Sequence, residues 1–404
     1  MKRSIVLLTI AAAALFLVFT AAAPAASAAD GSRIVVPASS IEHPEDIGVR
    51  AHTNIILNIH PDGTTPPVNA ETPGSLNCVY HLVKVTKGCP IPTSTILPTG
   101  GVGAIALVDA YDNPDATADI KTYAAQFKIP SYTFSQVYAS GKQPSNDPGG
   151  WSLEEALDIE MAVATAPAAQ IILVEAASNS FADLYTAEQV AANLVAAAGG
   201  GTVSNSWSGG EYSSELSDEK TYFTTPGVVY FASTGDSGLN NIGVPAVFAS
   251  VVAAGGTSII RSGGKFSSES WWTGGGGGSS RYEKRPSYQN VIKAIVGSAR
   301  GIPDMSADAN PNTGPAMYDA DGGYGWFQVG GTSVSSPFLA GVVNAAGKLR
   351  KSSKSELKKL YADYANATDY KKWFRDITTP TGGSCKVGWD FCTGIGSPLT
   401  YKGK

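Results

Sequence analysis

The chain has 404 residues and a formal net charge of −5, and losing the two cations Lys2 and Arg3 takes it to −7. Only 16% of its residues are charged. This acidic balance argues against nucleic acid or anionic membrane as a partner, and the length fits one large domain or two small ones.

Residues 1–28 read as a secretory signal. Lys2 and Arg3 precede an apolar core from Ile5 to Phe19, and Ala26-Ser27-Ala28 offers a small-residue cleavage site. The apolar run is short for a membrane span, so a secreted chain with no membrane contact after cleavage is expected. Export makes disulfides the default for the four cysteines, which fall into two local pairs, Cys78 with Cys89 and Cys385 with Cys392. A metal site is the poorer alternative, because no histidine lies near the second pair. Residues 29–98 read as an N-terminal extension wrapping a domain that runs from 99 to 404. All four histidines, His43, His52, His60 and His81, lie before residue 100. A nucleophile in the domain body must find some other base.

From Gly101 the pattern becomes regular. Ala104–Val108 reads as a strand ending at Asp109, and Asp115–Phe127 as a helix. A polar loop leads to Gly149-Gly150. Ser152–Thr165 is a helix, Ile171–Val174 a buried strand, and Phe181–Ala198 a helix closed by three glycines. Val203–Ser206 and Val228–Ser233 are strands with a helix between them, and Val251–Ala254 is another short apolar run. This alternation predicts an α/β fold, a mainly parallel sheet flanked by helices. Such sheets place ligands at the carboxyl ends of strands, where Asp109, Ser206 and Asp236 fall. Gly274–Gly278 reads as a flexible loop without a chemical role.

Three stretches carry chemistry. In the first, Gly330-Gly331-Thr332-Ser333 opens an apolar helix that tolerates Pro337 in its first turn. Ser333 stands where helical N–H groups lack partners and the helix dipole is positive. It is either a helix cap or a serine nucleophile. In the second, Glu154 and Asp158 are four apart and share one helix face at the border of the buried side. They are either a solvated acidic surface or a proton-sharing pair that replaces histidine as base. Glu155 lies off that face and is expected to take no part. In the third, Asp236 sits in the glycine-flanked turn Ser233-Thr234-Gly235-Asp236-Ser237-Gly238. It is either a turn former or a protonated donor to an oxyanion.

Taken together, these motifs resemble those of the sedolisins, the serine-carboxyl peptidases, in the order that family has them. Val203-Ser204-Asn205-Ser206-Trp207, Ile302–Asp308 and Gly388-Trp389-Asp390 extend the resemblance over roughly Gly101 to Pro398. The resemblance implies a subtilisin-like three-layer sandwich and an acid-acting endopeptidase, monomeric, with polypeptide substrates. By it Ser333 is the nucleophile, Glu154 the base, Asp158 its partner and Asp236 the oxyanion donor. Ser206, Gly209 and Gly210 lie beside the substrate backbone. Asp304 and Asp308 are structural, and Asp109 is at most an auxiliary carboxylate. A tripeptidyl exopeptidase and a non-catalytic secreted binding protein are the alternatives.

The resemblance also implies one structural Ca2+ held by Asp376, Asp390 and the carbonyls of Ile377, Lys386 and Gly388. Carboxylates and carbonyls are suitable hard ligands. This chain departs from the pattern in a short segment between the aspartates and in Lys386 where a glycine is usual. The front departs further. Sedolisins usually carry a long propeptide, whereas here only residues 29–98 separate the signal from the domain. They are an abbreviated prosegment or part of the mature protein.

Overall fold

The computed structural model describes residues 31–378 and 385–404, so the expected signal lies outside the described residues. The N-terminal region supplies strands β1 (Arg33–Val35), β2 (His52–Thr53) and β3 (Ile56–Ile59) and helix α1 (Pro73–Val79). The alternating body follows as β4 (Ala104–Ala110), α2 (Ala116–Phe127), β5 (Thr133–Tyr138), α3 (Trp151–Thr165), β6 (Gln170–Ala176), α4 (Phe181–Ala197), β7 (Gly201–Asn205), β8 (Trp207–Gly210), α5 (Glu215–Tyr222), β9 (Val228–Ser233), β10 (Gly243–Val244), β11 (Val251–Ser262) and β12 (Lys265–Trp271). Then come β13 (Gly278–Lys284), α6 (Lys293–Val296), β14 (Ala299–Ile302), β15 (Met305–Asp308), β16 (Ala316–Asp319), β17 (Gly325–Gly330), α7 (Thr332–Ala345), α8 (Ser353–Ala365) and α9 (Ala367–Trp373).

The central sheet runs β5-β6-β4-β7-β9-β11, all parallel. β15 joins β11 in parallel and β12 joins it antiparallel. Side chains of β4 alternate between its two faces. Ile105 and Leu107 enter the core that holds Leu153 and Leu157 of α3 and Val342 of α7. Ala106 and Val108 enter the core on the other face with Leu184 and Ala191 of α4. That makes three layers, with the sheet between helices, as expected. The same parity turns Asp109 of β4 and Glu175 of β6 toward α3. Arg300 and Asp304 form a fully buried ion pair (2.5 Å), and Tyr361 donates to the same carboxylate (2.8 Å). Asp304 is thus structural.

Several expectations need correction. The polar loop before Gly149 contains β5, an edge strand whose residues are at most partly buried. The run at Val251 continues to Ser262 as half of a hairpin with β12. Helix α3 has no solvated face: every residue from Trp151 to Thr165 is buried, Glu155 and Glu160 included, because α2, α7, α1 and the sheet enclose it. Gly274–Gly278 is not a loose loop. Gly276 N–H donates to Gly235 O (2.8 Å) and Gly238 N–H to Gly274 O (2.7 Å). A β-carbon at Gly276 would lie 2.1 Å from Thr234 O, so glycine is what lets this loop brace the Asp236 turn.

The N-terminal region is built into the body. β3 lies between β1 and β17 in a four-stranded antiparallel sheet. β2 adds antiparallel to β8. All of α1 is buried, Cys78 is bonded to Cys89, and Glu71 pairs with Arg261 of β11 (2.6 Å).

Candidate active site

β17 delivers the chain to Gly331, whose φ of 98° belongs to glycine, and α7 starts at once. The N-cap is Gly331, which has no side chain to offer, and Ser333 lies inside the helix, which removes the cap reading of Ser333. The free N–H groups of its first turn go elsewhere. Thr332 N–H donates to Asp236 Oδ1 (2.7 Å), and Ser333 N–H donates to the Asn54 carbonyl (3.1 Å). The Ser333 hydroxyl donates to Ser206 O (3.0 Å). Ser333 is fully buried.

Facing it, α3 presents Glu154 and Asp158, both with no exposure. Ser206 Oγ donates to Asp158 Oδ1 at 2.6 Å. Asp158 Oδ2 and both oxygens of Glu154 lack hydrogen-bond partners. Burial pushes the Glu154 carboxyl well up, Asp158 and Asp109 add to this, and the Ser333 hydroxyl pulls it back down. Burial and Asp109 likewise push Asp158 up, against the Ser206 bond. Two buried carboxyls with three oxygens left unpartnered hold protons between them. Asp109 joins this group from the sheet, raised to about 8 by burial and by Glu175. Glu155 is buried too, but its neighbour is Glu175 rather than the serine.

Asp236 closes the other side. Its Oδ1 accepts from the N–H and hydroxyl of Thr332 (2.7 and 2.8 Å). Part of the residue reaches solvent, yet Oδ2 is shielded and has no partner. Burial raises this carboxyl to about 7. Below that pH its proton belongs on Oδ2, since Oδ1 already accepts two bonds. Oδ2 borders the same face of Gly331 as the Asn54 carbonyl: a β-carbon there would meet Asn54 O at 2.0 Å and Asp236 Oδ2 at 2.6 Å.

Gly209 and Gly210 of β8 pair with β10 on one edge, and Gly210 N–H donates to Glu42. On the other edge His52 pairs with Ser208 and Thr53 with Trp207. The path beside Ser206, Gly209 and Gly210, expected for a substrate backbone, therefore carries residues of the N-terminal region. A cavity of about 490 Å³, lined by His52, Ser208, Asp236 and Arg281 among others, stays open alongside. Sequence reasoning missed His52, Asn54, Ser208 and Ser233 here. Their contacts span more than 150 positions, and no local pattern signals them.

The C-terminal loop is closed by Cys385–Cys392, and residues 379–384 lie outside the described residues. Asp376 accepts from Gly388 N–H (3.0 Å). Asp390 accepts from Lys386 N–H (2.6 Å) and from Cys392 and Thr393 N–H (3.0 Å each). The disulfide removes both thiols as metal ligands. The chemistry left is that of two nearby carboxylates, with Asp376 helping to raise Asp390.

No family model matches the chain. It is 31% identical over 335 residues to kumamolisin of Bacillus sp. (strain MN-32), which is 73% of this chain and 58% of that relative's length. Among solved structures it resembles a Pseudomonas sedolisin, a serine-carboxyl proteinase complexed with two molecules of pseudo-iodotyrostatin. The TM-score is 0.67 and the identity 22%, covering 82% of this chain and 95% of that one. It also resembles sphericase, with a TM-score of 0.53 and 17% identity, covering 80% and 96%. The structural likenesses establish a subtilisin-like α/β sandwich. In sequence the chain is similar to kumamolisin over most of its own length, and in fold to sedolisin.

Proposed function

We propose that the protein is a secreted, acid-acting serine-carboxyl endopeptidase. The observation that carries this reading is the setting of Ser333, between a buried acid pair and an acid whose outer oxygen has no partner. Ser333 Oγ attacks the substrate carbonyl carbon while its proton passes to Glu154. Asp158, held by Ser206, orients Glu154 and shares its charge. The tetrahedral oxyanion takes hydrogen bonds from Ser333 N–H and from protonated Asp236. Glu154 then gives the proton to the leaving amine, and water repeats the sequence on the acyl-enzyme. The endopeptidase form is supported by the course of β2 and β3, which fill the cleft on both sides of Ser333, so chain fits on either side.

The test is a pH–activity profile on an unfolded protein. Activity is expected below neutrality, falling as pH rises through about 7, where Asp236 loses its proton. An optimum above pH 8 would refute the mechanism.

We also propose one structural calcium ion on Asp376 and Asp390, with the carbonyls of Ile377, Lys386 and Gly388. Support comes from the repulsion between the two carboxylates, which a cation would relieve. EDTA should then lower the melting temperature by a few degrees, about 1 °C per kcal/mol lost. An unchanged melting curve would leave the disulfide and amide bonds as the loop's sole support.

A further inference from the structure

The segment from His52 to Ile59 lies in the cleft as a substrate would. β2 runs antiparallel along β8. Asn54 N–H donates to Ser206 O (3.2 Å), and the Asn54 carbonyl accepts from Ser333 N–H (3.1 Å). That carbonyl oxygen sits against Gly331 beside Asp236 Oδ2, where an oxyanion would be received. Beyond Asn54 the chain continues as β3, paired antiparallel with β17, the strand that leads into Ser333. The Asn54 side chain fills a polar recess. Its Nδ2 donates to Ser233 Oγ (2.7 Å) and its Oδ1 accepts from Ser208 Oγ (3.0 Å). Both ends of the carboxamide are thus read by hydroxyls, and a carboxamide left unpaired in so buried a place is costly.

We propose that the recess formed by Ser208 and Ser233 selects asparagine on the acyl side of the bond that Ser333 cleaves, and that Asn54–Ile55 is the bond so chosen when the chain cuts itself. This rests on the peptidase reading above. The step is balanced within the chain. Ser333 Oγ bonds to the Asn54 carbonyl carbon as its proton moves to Glu154. The C–N bond to Ile55 breaks, and the Ile55 nitrogen takes that proton. Water then releases Asn54 as a carboxylate and restores the Ser333 hydroxyl. The new N-terminus at Ile55 stays on the body, with which it is one continuous chain, because β3 is held by β17. The piece ending at Asn54 keeps its pairing of β1 with β3 and the bonds of Ser39 and Ser40 to Thr53 (2.9 and 2.7 Å). It must slip away before another chain can enter, since Ser333 is buried beneath it.

The experiment is incubation of the full-length protein in mild acid, read by N-terminal sequencing and intact mass, alongside Ser333→Ala. The expected result is a new N-terminus at Ile55, formed at a rate independent of protein concentration and absent in Ser333→Ala. Asn54→Ala should slow the cut at least tenfold. Because that variant also removes two buried hydrogen bonds from the fold, two peptides covering residues 50–59, with Asn or Leu at the Asn54 position, are offered to the processed native enzyme. At least tenfold faster cleavage of the asparagine peptide at Asn–Ile is expected. An intact Asn54–Ile55 bond in a preparation that digests unfolded protein would overturn the inference and spare the peptidase reading. Equal cleavage of the two peptides would overturn the selectivity. No digestion of any substrate would overturn both.

Discussion

Ser333→Ala should lower kcat on an unfolded protein in mild acid by about 10⁵–10⁶-fold, leaving the melting temperature within a few degrees of the parent. The size follows from the geometry: the bond-forming atom is deleted, and the adjacent Thr332 hydroxyl is committed to Asp236 (2.8 Å). Ser206, the nearest rival, is committed to Asp158 through its own hydrogen (2.6 Å). Glu154→Gln keeps the shape but cannot accept a proton, and should cost about 10²–10⁴-fold. Asp236→Ala removes one oxyanion donor and should cost about 10²–10³-fold. Glu155→Gln, although equally buried, should keep most activity, because its neighbour is Glu175. Steady-state kinetics on the four purified variants tests the set. If Glu155→Gln were the inactivating change and Glu154→Gln mild, the assignment of the base would be wrong.

The second large effect concerns stability. The protein should be most stable in acid, and its melting temperature should fall by about 10 °C or more between pH 4.5 and pH 7.5. Burial raises Asp109, Glu175, Glu215 and Glu283 to about 8, and Asp119 to about 7. In the unfolded chain these groups ionise near pH 4. Between the two values the folded protein holds protons that the unfolded chain has released, so each unit rise in pH favours unfolding. Stability from these groups is complete below about pH 4 and is lost as pH climbs toward 8. Two net protons give about 2.8 kcal/mol per pH unit, roughly 8 kcal/mol over this range, and at about 2.1 cal/mol/K per residue a chain of this size moves about 1 °C per kcal/mol. Neighbours such as Glu215 and Glu283 share their protons, so the effects do not simply add. Thermal unfolding at a series of pH values decides it. A melting temperature that rises toward neutrality would mean that these carboxyls are ionised in the folded state.

The candidate site was readable in the sequence where it is local. A glycine turn before an apolar helix marks Ser333, a four-residue spacing marks Glu154 and Asp158, and a turn after a strand marks Asp236. The parallel core was readable for the same reason, as apolar runs set off by glycine. Misreadings arose where the partner is distant. A solvated face stayed open for α3 because periodicity alone does not show that α2, α7 and the sheet enclose it from all sides. β5 was hidden because an edge strand is free to be polar. Asn54 gave no signal, since what distinguishes it is a carbonyl placed against a helix start nearly three hundred residues later.

The glycines from 274 to 278 carry a consequence for how Asp236 keeps its aim. That carboxyl hangs from a turn held by main-chain groups that nest where β-carbons are missing, with Thr234 O against Gly276 and Phe391 O against Gly277. Its alignment is thus set by atoms left out. The proposed oxyanion donor depends on a stretch that has no functional groups to lose, only room to forfeit.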